Sequence, residues 1–207
     1  MESNQDAGTR KGLAMKQEPV EQFHPTSGRI QGVIAVTAAA ALVVIGFRDV
    51  DSGFPAPLIA VCLLLGVLAW ASMLRPRVWA TADDLVMRNM LHTVRIPLAA
   101  IQTVVVRQVL AVGVGGGRYV SPAIGQSARQ TARGDQAGAR KSATESYQVF
   151  VEERIGQLAD TARSELGVEK HSEEQAALAE GVRRTWAWPE IVALGAGVIA
   201  FVLTLVR

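Results

Sequence analysis

The sequence predicts an α+β membrane protein in which three transmembrane helices flank a small, bent antiparallel sheet that is capped by a C-terminal helix. Three observations carry this prediction. The 207 residues are 49% hydrophobic and only 19% charged, whereas about a quarter of the residues in an average soluble domain are charged. Three long segments lack Lys and Arg inside them, and the stretch between the second and the third alternates apolar and polar residues.

The three apolar segments are predicted as membrane spans over residues 29–48, 55–75 and 186–206. The first, from Ile30 to Phe47, reaches roughly 27 Å as a helix, which is close to the thickness of the hydrocarbon layer. Each segment is apolar on every face, whereas a surface helix of a soluble protein carries a polar stripe. We expect the tryptophans to anchor at the membrane interfaces; they are Trp70, Trp79, Trp186 and Trp188.

The distribution of arginines predicts the orientation of these spans in the plasma membrane. Arg75 and Arg77 follow the second span, and Arg183 and Arg184 precede the third, whereas the loop 48–53 holds one Arg and two Asp. The positive-inside rule places the N-terminus and the segment between the second and third spans in the cytoplasm, with the C-terminus outside.

The third span contains two features that allow alternative interpretations. Glu190 lies at its edge, where a carboxylate would stay in the headgroup region or pair with Arg183 or Arg184; the alternative is an intramembrane functional acid. Gly195 and Gly197 give this span a small-residue face that would pack against another helix, or they are ordinary glycines of a membrane helix.

The soluble part is predicted as a disordered tail over residues 1–28 and a folded domain over 76–166. Short β-branched runs separated by turn residues predict one antiparallel meander, with strands near 77–82, 84–90, 92–97, 101–111 and 118–121. Leu85 and Met87 fall on one face of the second strand and Val86 and Arg88 on the other, so we expect one buried face and one wet face.

A mobile insertion is predicted over 126–146, followed by an amphipathic helix that begins near Tyr147. Its apolar residues recur every three or four positions and are Tyr147, Val151, Ile155, Leu158 and Ala162. We expect this stripe to pack on the meander. Residues 167–185 are predicted to be a charged, partly helical connector.

The segment after the second span resembles the bacterial pleckstrin-homology-like domain of actinobacterial membrane proteins of the low-molecular-weight protein antigen type. The matching features are the Arg-Pro-Arg exit at 75–77, the run VWATADDLVMRN with its turn at Asp83 and Asp84, and VRIPLAAI with Pro97 ending a strand. The helix beginning near Tyr147 completes the match. The resemblance implies a bent sheet closed by this helix and implies no enzyme activity. The insertion and the third span depart from the family pattern.

Charge is divided between the two halves of the soluble part. Residues 75–141 carry a net charge of +7, and residues 145–180 carry −6. We predict that the basic half contacts anionic headgroups or a partner through arginines on neighbouring strands, namely Arg77, Arg88, Arg95 and Arg107. The alternative is that these arginines only set the membrane topology.

No catalytic signature is found, so we predict no enzyme activity, no cofactor and no metal. The glycine run 113–117 lacks the Gly-Lys-Ser/Thr of a phosphate loop and is predicted as a hairpin turn. His24 lies in the tail, His92 in a hairpin and His171 on a charged face, and the single cysteine, Cys62, lies within the second span.

Two functions fit this organisation. The first is a non-enzymatic membrane protein whose cytoplasmic domain is a protein-interaction or scaffold module, with other membrane proteins or a second copy as partner. The second is a module that binds or senses anionic membrane lipids. A transporter subunit is disfavoured because three spans with one edge carboxylate offer little polar lining, and nucleic acid is disfavoured because the basic stretch lacks interleaved aromatic residues.

Overall fold

The computed structural model describes residues 21–25, 28–48, 55–125 and 138–206, and of residues 138–144 only the backbone. Its helices are α1 (Arg29–Arg48), α2 (Ala56–Ala69, continued by a wide π-helical turn at Trp70–Leu74), α3 (Gly138–Leu166), α4 (Glu173–Ala177) and α5 (Trp188–Val206). The prediction of three long apolar helices is confirmed, because α1, α2 with its π turn, and α5 are each long and apolar enough to cross a membrane.

Helix α2 packs between α1 and α5. Glycines allow the helix axes to approach closely at both contacts. A Cβ atom added at Gly66 would lie 3.1 Å from the Ala39 Cβ, and one added at Gly197 would lie 3.0 Å from the Leu64 Cδ1. Gly195, by contrast, faces open space. Of the small-residue face predicted on the third span, Gly197 therefore contacts α2.

A five-stranded antiparallel sheet adjoins these helices. Its strands lie in the order β1-β2-β3-β4-β8, with β1 at Glu21–Phe23, β2 at Arg77–Ala80, β3 at Asp84–Arg88, β4 at His92–Pro97 and β8 at Arg183–Trp186. Strand β1 leads into α1, α2 leads into β2, and β8 leads into α5. Because of the antiparallel register, these three connections all lie at one end of the sheet.

A second antiparallel sheet has three strands in the order β5-β6-β7, with β5 at Thr103–Val106, β6 at Leu110–Val114 and β7 at Gly117–Ser121. The prediction of a turn in the glycine run is confirmed. Gly115 and Gly116 form the β6–β7 turn with φ values of +54° and +80°, which a two-residue hairpin favours and glycine adopts without strain.

The prediction of one continuous meander is wrong in two respects. The described residues form two sheets, and the strand expected over 101–111 is broken into β5 and β6. The break is a bend at 107–109, where the backbone amide of Arg107 donates to the Val109 carbonyl at 3.3 Å. The β-branched residues on both sides of the bend favour extended backbone, so the composition of the segment did not reveal it.

Helix α3 closes the core between the two sheets. The predicted amphipathic stripe is confirmed, since Val151 and Ile155 are fully buried and Tyr147, Leu158 and Ala162 pack against the same core. On the opposite side of this core lie buried residues of both sheets, including Leu85, Met87, Ile96, Leu110 and Val112. The Glu152 carboxylate accepts a hydrogen bond from the Val106 amide at 3.0 Å, which ties α3 to β5.

Segments predicted to be irregular contain regular structure. Glu21–Phe23, placed in the disordered tail, forms β1, because Phe23 is buried in the core and Glu21 forms an ion pair with Arg154 of α3 at 2.8 Å. Residues 1–20 lie outside the described residues.

Of the predicted mobile insertion, residues 138–146 belong to α3 and residues 126–137 lie outside the described residues. The predicted connector 167–185 includes α4 and most of β8. The third apolar helix begins at Trp188 rather than at residue 186, because Trp186 pairs with His92 in the sheet.

Candidate functional site: a basic sheet face beside a buried ion pair

Four arginines lie on the face of the five-stranded sheet that is turned away from the core. Arg77 of β2 is directly opposite Arg88 of β3, and Arg95 of β4 is directly opposite Arg183 of β8. Paired residues share a face of the sheet. Arg88 and Arg95 share this face as well, because Arg95 is paired with Val86, which lies two residues before Arg88 on β3. We call these four residues the basic face. The structure therefore places Arg77, Arg88 and Arg95, three of the four arginines of the predicted patch, on one surface.

Arg107 does not belong to the basic face, and this part of the predicted patch is wrong. It lies in the bend between β5 and β6 of the other sheet. Arg183 takes its place because β8, which the sequence did not predict as a strand, pairs with β4.

The basic face has two rows at different distances from the apolar helices. Arg77 and Arg88 form the helix-proximal row, since Arg77 lies three residues after Leu74, the last residue of the π turn. Arg95 and Arg183 form the distal row, two residues further along the strands and so about 7 Å along the strand direction from the sheet end that joins the helices.

A tryptophan and a buried valine lie in line with the distal row, on the neighbouring strands β2 and β3. Trp79 and Val86 are paired across β2 and β3, and Val86 is paired with Arg95. Val86 is 1% exposed, although the sequence placed it on a wet face; it lies between the large side chains of Trp79 and Arg95 in the same row. Trp79, predicted as an interfacial anchor, is half-buried on the sheet.

The other three predicted anchors lie near the junctions between the apolar helices and the sheet. Trp70 begins the π turn of α2, Trp186 ends β8 and Trp188 begins α5. Their exposed fractions are 41%, 52% and 66%, and all three lie at the end of the bundle that adjoins the sheet.

A buried ion pair joins the helices beside the basic face. The Arg75 Nε donates to the Glu190 Oε1 at 2.6 Å, and the two side chains are only 5% and 8% exposed. Arg75 follows the π turn of α2, and Glu190 lies in the first turn of α5. The sequence prediction that Glu190 pairs with Arg183 or Arg184 is wrong, because those arginines lie on β8 while Arg75 faces the carboxylate.

Arg75 also binds the tip of the β3–β4 hairpin. Its Nη1 donates to the Met90 carbonyl at 2.8 Å and to the Asn89 carbonyl. One side chain thus connects α2, α5 and the sheet. The wide π turn, in which the Arg75 amide donates to the Trp70 carbonyl, rotates the chain relative to a regular α-helix and so sets the direction in which Arg75 leaves it.

The cluster around Glu190 carries an excess of positive charge. The Arg88 Nη2 lies 3.8 Å from the Glu190 Oε1, so the guanidinium groups of Arg75 and Arg88 share one carboxylate, and Arg77 is directly opposite Arg88 on the neighbouring strand. Burial and then the neighbouring Arg75 lower the pKa of Arg88, Glu190 raises it and Arg77 lowers it again. Within the described residues, no carboxylate lies within 4 Å of Arg77, Arg95 or Arg183.

His92 lies between two donors at the same hairpin, and its pKa is lowered. Its Nε2 faces the Asn89 Nδ2 at 3.2 Å and its Nδ1 faces the Arg184 Nη2 at 3.3 Å. Both neighbours are donors, so a doubly protonated imidazole would face a donor on each side. Burial, then Arg184 and Arg75, lower the pKa of His92. The Trp186 ring lies edge-on at 6.1 Å and stacks under Arg184 at 4.4 Å.

No local sequence pattern points directly to the partners of Glu190. Arg75 was interpreted only as a topology determinant and as part of the exit at 75–77, and no contact was predicted for Asn89. Asn89 is in fact buried, and its Nδ2 donates to the Val120 carbonyl at 2.9 Å, which links the two sheets. An Arg directly after one apolar segment and a Glu in the first turn of another are the pattern that could have suggested the ion pair.

Within the part of the chain that the structure describes, no three His, Cys, Asp or Glu side chains come together as metal ligands. Comparison with known proteins gives no match: no family model, no curated protein and no solved structure is significantly similar to this chain.

Proposed function

We propose that this chain is a non-enzymatic integral membrane protein whose sheet domain holds its basic face against the anionic headgroups of the cytoplasmic leaflet. The observation that carries the proposal is the basic face itself, with exposed arginines beside the sheet end that leads into three apolar helices. In this proposal the N-terminus and the sheet domain are cytoplasmic and the C-terminus is outside, as the arginine distribution predicts.

The expected energy is sufficient for a lipid preference. A basic residue close to an anionic leaflet gains about 1 kcal/mol, and the gain declines over a Debye length, which is about 8 Å at physiological ionic strength. The helix-proximal row would lie at the surface and the distal row about 7 Å further away. Four arginines at these distances give roughly 2–4 kcal/mol.

A pleckstrin-homology-like identity for the domain over 76–166 is part of this proposal. It is supported by two small antiparallel sheets around one core and by a helix, α3, that closes this core. The sequence resemblance to that family, which covers roughly residues 55–165, is the other support for it.

The test uses the full chain in detergent, titrated with equimolar phosphatidylglycerol and phosphatidylcholine, with bound lipids counted by native mass spectrometry. Two triple variants remove the same charge. One replaces Arg77, Arg95 and Arg183 by Gln, and the matched control replaces the exposed bases Arg107, Arg118 and Lys170 by Gln. We expect the first to lower the preference for phosphatidylglycerol at least tenfold and the control to change it less than twofold. Equal effects of the two variants, or no preference in the parent protein, would reject the proposal.

A protein-interaction or scaffold function is the second candidate, and a patch on α3 favours it. Val149 and Phe150 are 55% and 50% exposed, and the Phe150 ring lies 6.1 Å from that of Tyr147. Exposed apolar and aromatic side chains grouped outside the bundle are typical of contact surfaces.

A photo-crosslinking amino acid at Phe150, in native membranes, tests this candidate. We expect one discrete adduct, with the partner being another membrane protein or a second copy. The same probe at Gln157, which is exposed on the same helix, should give less of this adduct. Equal labelling at both positions would remove this candidate.

A further inference from the structure

We infer that Arg77 and Arg88 together bind one phosphate of an anionic phospholipid headgroup, and that Glu190 competes with this phosphate for Arg88. This inference rests on the proposed association of the basic face with lipid and assigns that association to a single site.

The register brings the two guanidinium groups to one place. Residues directly opposite on antiparallel strands have Cβ atoms about 4.5–5.5 Å apart, so Arg77 and Arg88 can converge on a single anion. Two like charges directly opposite each other destabilise a sheet unless an anion lies between them. Guanidinium groups bind phosphate oxygens with paired N–H donors, which makes phosphate the anion that fits best.

The nearby carboxylate leaves these donors free. Glu190 accepts its short hydrogen bond from Arg75 at 2.6 Å, and Arg75 directs its remaining contacts to backbone carbonyls. The 3.8 Å separation between Arg88 and Glu190 is longer than a hydrogen bond. Arg88 is therefore attracted by Glu190 without being saturated by it, and its side chain remains 41% exposed.

The position relative to the apolar helices favours a lipid over a soluble phosphate. Arg77 lies three residues after Leu74, and an extended chain covers at most about 10 Å over three residues. The headgroup layer on each side of a bilayer is roughly 5–8 Å thick. With Leu74 at the edge of the hydrocarbon, the helix-proximal row falls at the depth of the lipid phosphates, whereas the distal row lies beyond it.

The two rows provide a matched comparison in the full chain. Binding of phosphatidylglycerol in detergent is measured by native mass spectrometry for the double variants R77Q/R88Q and R95Q/R183Q, which remove equal charge from the same face. We expect R77Q/R88Q to weaken the binding of the most tightly held phosphatidylglycerol at least tenfold. R95Q/R183Q should weaken the same binding less than threefold. Equal weakening would overturn the single site but leave the diffuse association intact, whereas a parent protein without lipid preference would overturn both.

Two further arms test the competition and the source of the phosphate. E190Q, checked for folding by its melting temperature, should bind phosphatidylglycerol about threefold to tenfold more tightly; unchanged or weaker binding by the folded variant would overturn the competition. Soluble glycerol 3-phosphate at the same concentration should displace little lipid. Equal displacement would show a soluble phosphate site and overturn the assignment to lipid. If E190Q fails to fold, the comparison of the two rows still decides the inference.

Discussion

Replacing Arg75 by Met should destabilise the protein strongly, because Arg75 connects α2, α5 and the hairpin tip of the sheet. The substitution preserves the length of the side chain while removing its charge and its donors. It leaves the Glu190 carboxylate, which is 8% exposed, with only Arg88 at 3.8 Å. It also removes the donor to the carbonyls of Asn89 and Met90.

The magnitude follows from the burial of the pair. Removing one partner of a buried ion pair costs about 3–5 kcal/mol, because the other charge stays buried without compensation. For a chain of 207 residues, each kcal/mol lowers the melting temperature by about 2–4 °C. We therefore expect R75M to lower it by about 10 °C. E190Q should cost less, since its amide oxygen still accepts from the Arg75 Nε.

Thermal unfolding of the full chain in detergent, followed by tryptophan fluorescence, measures this effect. The matched control is R154M, which breaks the more exposed ion pair with Glu21, whose side chains are 41% and 25% exposed. Such a pair contributes about 0–1 kcal/mol. The double variant R75M/E190L replaces both buried charges by apolar groups, and we expect it to recover at least half of the loss caused by R75M.

Two results would refute this reasoning. If R75M lowers the melting temperature no more than R154M does, the buried ion pair does not join the helices to the sheet. If R75M and E190L are additive in the double variant, the two side chains do not act on each other.

The remaining predictions concern pH and three glycines. The pKa of His92 is lowered from 6.5 in the folded state, so the unfolded chain takes up the proton first as the pH falls below 6.5. The free energy of unfolding should therefore decrease as the pH falls from 6.5 through the folded-state pKa. Urea titrations at several pH values measure this dependence, and H92Q should lose it. G197L should lower the melting temperature by the equivalent of about 1–3 kcal/mol, since its side chain meets Leu64, whereas G195L faces open space and should change it little. G156A, inside α3 with no atom within 4 Å of the added Cβ, should raise stability by about 0.5–1 kcal/mol; a lower melting temperature would contradict the open environment.

The sequence alone was sufficient to predict the elements that are determined by their own residues. The apolar helices follow from long runs without charge, and β2, β3 and β4 follow from β-branched residues between turn residues. The stripe of α3 followed from spacing alone. These elements need no knowledge of distant partners, because hydrophobic burial and backbone preference act over short distances along the chain.

The elements that were missed depend on distant partners. Strand β8 reads as a charged connector, and it becomes a strand because the edge of β4 offers hydrogen bonds to Arg183–Trp186. The basic face changed accordingly, gaining Arg183 and losing Arg107. The partner of Glu190 lies 115 residues away, and no local pattern identifies it. Charges on the chain could be listed from the sequence, but which of them share a surface required the sheet register.

The three connections between helices and sheet constrain how the bundle can respond to its surroundings. Since β1, β2 and β8 each continue into or from a different helix, sliding α5 along α2 would shear β8 against β4. A slip of one residue in that pairing would turn every β8 side chain to the opposite face, so such sliding is opposed by the hydrogen bonds of the whole sheet. In the proposed membrane-spanning arrangement, the three helices should therefore tilt together as one body in a thinner or thicker bilayer, and the sheet should tilt with them.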